Sequence, residues 1–159
     1  MRYAYLFPIL ALSACDTTLE ELLTPTSAPA ENTAAVETLD PTPPPPPPPT
    51  ARTVEQFDTT TEEDRAAAVA APKPAGEQRL GVTNVSLGSA ADPGIWLKTP
   101  LVTELQMGRA VYGANGKSVS LELRPSGGAA GSASQMSLAA MRLLDIPLTA
   151  LADVTVFAN

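Results

Sequence analysis

The chain has no histidine and only one cysteine among its 159 residues. No intramolecular disulfide can form within it. A His-based catalytic triad, a zinc site built on Cys and His ligands and a haem held by an axial histidine are excluded as well. Aromatic residues are few, with one Trp, three Tyr and three Phe. Basic residues are also few and form no stripe, so nucleic acid is not an expected partner. Carboxylate chemistry and oxygen-ligand metals are the options left open. The acids of the second half (Asp92, Glu104, Glu122, Asp145 and Asp153) are scattered, and neither a catalytic residue, a metal nor a cofactor is expected.

The most informative stretch present is the N-terminus. Arg2 and the α-amino group precede an apolar run from Tyr3 to Leu12, then Ser13, Ala14 and the single cysteine, Cys15. The run is short of the roughly 20 apolar residues a membrane-spanning helix needs, and its charged, apolar and small-residue zones are those of a secretory signal. Leu12-Ser13-Ala14-Cys15 resembles a bacterial lipobox. That resemblance implies diacylation of the Cys15 thiol, cleavage between Ala14 and Cys15, and acylation of the new N-terminus. The chain is then expected to divide into a signal peptide (1–14), a lipidated cysteine with a linker (15–78) and a small domain (79–159).

Charge divides the same way. Residues 16–78 carry twelve acids against Arg52, Arg65 and Lys73, a net of −9, whereas residues 79–159 carry a net of +1. The linker is rich in Thr, Ala, Pro and Glu, and its sparse large apolar residues cannot offset the entropy of ordering it, so it is expected to be disordered. The seven prolines 43–49 favour polyproline II and read as a stiff spacer, with a docking ligand for a Pro-binding module as the alternative. Thr61 followed by three acids and an alanine run predicts a short helix, partly formed, stopped by Pro72 and Pro74.

The second half reads mostly as strand. Leu80, Val82, Val85 and Leu87 suggest a first extended run, and Ile95-Trp96-Leu97 a second after the turn signal Asp92-Pro93-Gly94. Residues 109–112 and 117–123 flank Asn115-Gly116, which predicts a hairpin with a type I′ turn. Val119, Leu121 and Leu123 alternate with polar residues, as in a half-buried strand. Residues 125–134 read as a loop, Ser137 as the cap of a helix 138–144, and residues 153–158 as a closing strand. The fold class is mainly β, a small barrel with one helix after the Pro-rich arm.

This order resembles the barrel domain of the rare lipoprotein A (RlpA) family, on Asn115-Gly116-Lys117-Ser118-Val119, on Met136 to Leu144 and on Val154-Thr155-Val156. The resemblance implies a six-stranded double-psi β-barrel. The family's glycan-cleaving members carry an aspartate after the strand and a histidine earlier. Here the corresponding stretch is Leu123-Arg124-Pro125-Ser126-Gly127-Gly128, without an acid, and cleavage needs a group to move a proton at the scissile oxygen. The chain also resembles short lipoproteins labelled after the C-terminal part of D-galactarate dehydratase/altronate hydrolase, whose chemistry would need a base and usually a metal.

The reading is a periplasm-facing, lipid-anchored envelope protein, held to the membrane through Cys15 and without enzymatic activity, that contacts peptidoglycan or an envelope protein. A residual peptidoglycan lytic transglycosylase or a sugar-acid lyase is the alternative, and a purely structural spacer a third. Arg124 and Trp96 are the candidate ligand contacts. For each, a structural role is the competing reading: a solvated strand end for Arg124 and core for Trp96.

Overall fold

The computed structural model describes residues 39, 40 and 42–159; Ala14 and Cys15 lie outside them. Six strands form a closed barrel: β1 (Gln78–Leu87), β2 (Trp96–Thr99), β3 (Gln106–Tyr112), β4 (Ser118–Pro125), β5 (Ser134–Met136) and β6 (Ala152–Ala158). Around the barrel they run β1-β5-β2-β4-β3-β6. Exchanging β1, β2, β3 for β4, β5, β6 reproduces every neighbour relation. The pairs β1–β5 and β2–β4 are parallel, and β1–β6, β3–β4, β2–β5 and β3–β6 are antiparallel. This internal twofold with two interwoven parallel pairs is the double-psi arrangement. Closure leaves no unpaired sheet edge.

Strand alternation fills the interior. Val119, Leu121 and Leu123 of β4, Val154 and Val156 of β6, Leu97 of β2, Val85 of β1 and Met136 of β5 are all fully buried in one cluster. The helix α3 (Leu138–Leu143) adds Ala140 and Met141 to it. Ser137 caps α3 as its sequence predicts. Its hydroxyl oxygen accepts from the N–H of Ala140 at 3.3 Å and also from that of Trp96 at 3.1 Å, tying helix to strand. Gly108 marks the tightest approach: a Cβ there would run into Leu123 and the Phe157 carbonyl oxygen.

Four local expectations are corrected. The hairpin exists, but its loop has four residues, closed by the Tyr112 N–H on the Lys117 oxygen and the Gly116 N–H on the Tyr112 oxygen. Only Gly116 takes a positive φ (73°), so the turn is not type I′. The Asn115 side chain instead donates to the Leu144 oxygen at 2.8 Å and accepts from the Lys117 N–H at 2.9 Å. Second, β1 carries a register shift between Arg79 and Gly81, which inverts its alternation. Thr83 and Val85 therefore point in, and Val82 is 54 % exposed. Third, the short strand β5 begins at Ser134, the last residue of the stretch read as loop, and β4 ends at Pro125, its first.

The fourth concerns the chain before the barrel. Residues 42–77, read as part of a disordered linker, lie against the barrel as a strap with two helices among the described residues: α1 (Val54–Phe57) and α2 (Glu62–Ala70). Both start with capping boxes, Thr53 with Gln56 and Thr61 with Asp64, so four amide donors are satisfied locally. The strap's acids meet the barrel's bases. Asp58 pairs with Arg142 at 2.7 Å, and Glu77 pairs with Arg109 at 2.6 Å. A linker poor in large apolar residues thus orders by side-chain caps and ion pairs, which hydropathy does not report.

Candidate functional site

Strand alternation puts Ser120, Glu122 and Arg124 on the outer face of β4. In a bare barrel that face is solvated. Here the strap crosses it, and a groove of about 510 Å³ remains between them. Pro43, Pro44, Ala67 and Ala68 form its strap wall, and Met107, Ile95 and Ser120 its barrel wall. Its volume lies in the range of small-ligand sites, and its apolar walls with a few convergent polar groups suit such a site.

The polar floor is a network around Arg124. Its Nε donates to Glu122 Oε1 at 2.6 Å, and its Nη1 lies 3.1 Å from both carboxylate oxygens of Asp92. Its guanidinium stands 5.1 Å from the Trp96 ring centre, a cation–π contact. The Trp96 Nε1–H donates to the Asp92 backbone carbonyl oxygen at 3.2 Å, tying the ring to the same residue. Glu122 also accepts from the Leu39 N–H, so the chain entering the strap is pinned to this network. The parallel register that sets Trp96 beside Glu122 and Lys98 beside Arg124 brings these residues together.

The structure therefore places the two candidate contacts, Arg124 and Trp96, in one cluster, which their separation in sequence does not reveal. Trp96 is only 2 % exposed, and Arg124 lies over its ring. No ring face is offered to a sugar, and Trp96 acts as the platform for Arg124. The Arg124 side chain lines the groove while held between two carboxylates. Glu122 is the residue that sequence reasoning passes over. Alternation makes it a solvent-facing acid, whereas it is 5 % exposed because the strap covers it. The paired capping boxes in residues 53–64 were the available signal that something ordered lies N-terminal to the barrel.

The other acids of the groove also have structural engagements. Asp64 accepts from the Thr61 N–H at 3.1 Å as part of the α2 cap, and Asp40 accepts from the Thr42 N–H at 2.8 Å. Asp145 pairs with Lys117 on the surface. At the strap's far end Arg109 grips Glu77 with two hydrogen bonds of 2.6 and 2.7 Å and stacks on Phe157 at 4.6 Å. Those hydrogen bonds hold the Glu77 carboxyl below the usual glutamate range, against the opposing effect of desolvation.

Inside the barrel, the hydroxyls of Thr83, Ser134 and Thr99 form a buried chain, at 2.7 and 2.9 Å, that staples the short strand β5 between β1 and β2. Among the described residues, no three His, Cys, Asp or Glu side chains converge as metal ligands, and no helix is long and apolar enough to cross a membrane. Comparison with protein-family models, with curated proteins and with solved structures found no match to this chain.

Proposed function

We propose that this chain is a lipid-anchored protein of the bacterial cell envelope, tethered through Cys15, whose barrel holds peptidoglycan through the strap groove without cleaving it. The observation that carries this reading is the state of the groove's polar floor. Glu122, the one strand-borne carboxylate there, is engaged by the Arg124 guanidinium at 2.6 Å and by the Leu39 N–H. A general acid must present its carboxyl to the substrate, and this one is turned to a guanidinium and a backbone amide instead. A groove of about 510 Å³ with apolar walls and a fixed charge network suits recognition.

The lipobox-like Leu12 to Cys15 supports the anchor. Docking of residues 42–77 on the barrel makes that tether short. Leu39 lies 24 positions after Cys15, a reach of at most about 86 Å fully extended, so the barrel stays near the membrane that holds it. Two substitutions test the two halves of the reading. Cys15→Ser moves the protein from the membrane fraction to the soluble one and abolishes lipid labelling; retention with label would refute the anchor. Met107→Trp fills the groove from a half-exposed position, so it removes binding to isolated cell-wall sacculi while the barrel's thermal transition stays in place. Undiminished binding by that variant would move the contact to another surface.

A further inference from the structure

The strap and the barrel are held together differently from the barrel's own parts. Neither α1 nor α2 buries a single residue. The strap's buried apolar and hydroxyl residues are small, Ala51 and Thr60, with Ala68 partly buried against the core cluster, and its other buried side chains are the carboxylates of Asp58 and Glu77. What holds it is polar: Asp58 to Arg142 and Arg65, Glu77 to Arg109, and the Thr59 hydroxyl donating to the Pro45 oxygen at 2.6 Å, which folds the proline run back on the helices. The proline run lies along the body on one edge: Pro44 and Pro47 are half-buried, and the prolines between and beside them are exposed. A period of three is that of polyproline II.

We propose that residues 42–77 are a releasable cover that opens as a unit while the barrel stays folded. Opening uncovers the Ser120–Glu122–Arg124 face and pays out the tether at the same time. Regions with few buried apolar contacts open at lower free energy than the core and do so as contiguous units. The strap meets that description, and the barrel, closed by six strands over a leucine and valine core, does not. The two consequences are coupled by connectivity. Leu39 is pinned to Glu122, so the β4 face is covered, and the groove exists, only while the strap is docked. Leu39 and Glu77 are 38 positions apart, a stretch that spans up to about 130 Å when released and extended. A barrel held near its membrane thus gains access to a more distant ligand at the moment its covered face is exposed. That the face binds peptidoglycan rests on the proposed function; the opening itself does not.

Amide hydrogen exchange on the full chain, carrying Cys15→Ser to keep it unlipidated, tests the opening without any ligand. Asp58→Asn and Glu77→Gln remove the strap's side of the ion pairs and leave the barrel sequence intact. In the parent, amides of α2 are protected but exchange faster than those of β3, β4 and β6. In the double variant α2 exchange accelerates by roughly tenfold or more, the scale of losing charged hydrogen bonds, and the strand rates do not change. Small-angle scattering shows a maximum dimension larger by a few tens of Å. Exchange of α2 in step with the strands in both proteins would overturn the proposal, because the strap would then belong to the barrel's cooperative unit. Unprotected α2 in the parent would overturn it too, since there would be no docked cover to release. Failure to bind sacculi with the predicted exchange pattern would refute the ligand and leave the cover standing.

Discussion

The barrel and the strap are built from one chain by two different kinds of force. In the barrel, branched and long apolar side chains alternate along strands whose register is fixed on both sides, and Val85, Leu97, Leu123, Met136, Val154 and Val156 are fully buried. In the strap, two short helices that bury nothing, the longer made mostly of alanine and acids, are kept by caps and by charge pairs with the barrel. Burial of apolar area is non-directional and cooperative across a core. Ion pairs and caps are local and directional, and each joins only the groups that touch. The barrel therefore behaves as one unit, and the strap is a lower tier of structure laid on it. The groove lies at the seam, where a strand-borne ion pair is covered by the lower tier.

Substitutions sharpen this contrast in descending order of effect. Leu121→Ala removes a fully buried side chain from the centre of β4 and costs about 2–5 kcal/mol. Chemical denaturation shows the strap's helical signal lost no later than the barrel's. Survival of the strap's helical signal after the barrel unfolds would break the hierarchy. Two cap deletions make a matched pair. Ser137→Ala removes an acceptor used by both Ala140 and Trp96 in the interior and lowers global stability by about 1–2 kcal/mol. Thr61→Ala removes a comparable cap from exposed α2. It raises amide exchange in α2 and leaves the global midpoint unmoved. Equal shifts of the midpoint by both variants would show the two tiers to be one.

The smallest effect is that of pH on the strap's far clasp. The folded-state pKa of Glu77 lies below its unfolded value because Arg109 hydrogen-bonds the ionised form. The clasp's contribution is thus complete above the unfolded pKa, roughly 4.3, and is lost as pH falls through the folded value. The difference in strap protection between the parent and Glu77→Gln narrows as pH drops below that range. A difference that stays constant through pH 3 would assign the clasp to packing alone.

The barrel was more legible than the strap for the same physical reason. Strand periodicity in residues 117–123, the Ser137 cap and the closing strand are patterns of large apolar residues or short-range capping, which sequence displays directly. The register shift at Arg79–Gly81 was not visible, since Leu80 and Val82 look like consecutive members of one face until an extra residue inverts it. The three-residue β5 is too short to show alternation, and its place depends on hydroxyls from β1 and β2. Asn115 was read by its turn propensity, whereas its side chain satisfies the end of α3 across the fold. The groove was legible only in halves. Arg124 and Trp96 stand out by type, but their contact depends on the parallel β2–β4 register. The cover over Glu122 depends on charge pairing between segments distant in sequence.

Sedimentation of the full chain with intact peptidoglycan sacculi, with the supernatant analysed by mass spectrometry for released muropeptides, tests the central claim most directly. A wall-holding protein whose groove carboxylate is locked in an ion pair pellets with the sacculi and releases nothing. Release of anhydro-muropeptides would contradict the non-catalytic reading, and a chain left wholly in the supernatant would contradict the wall contact itself.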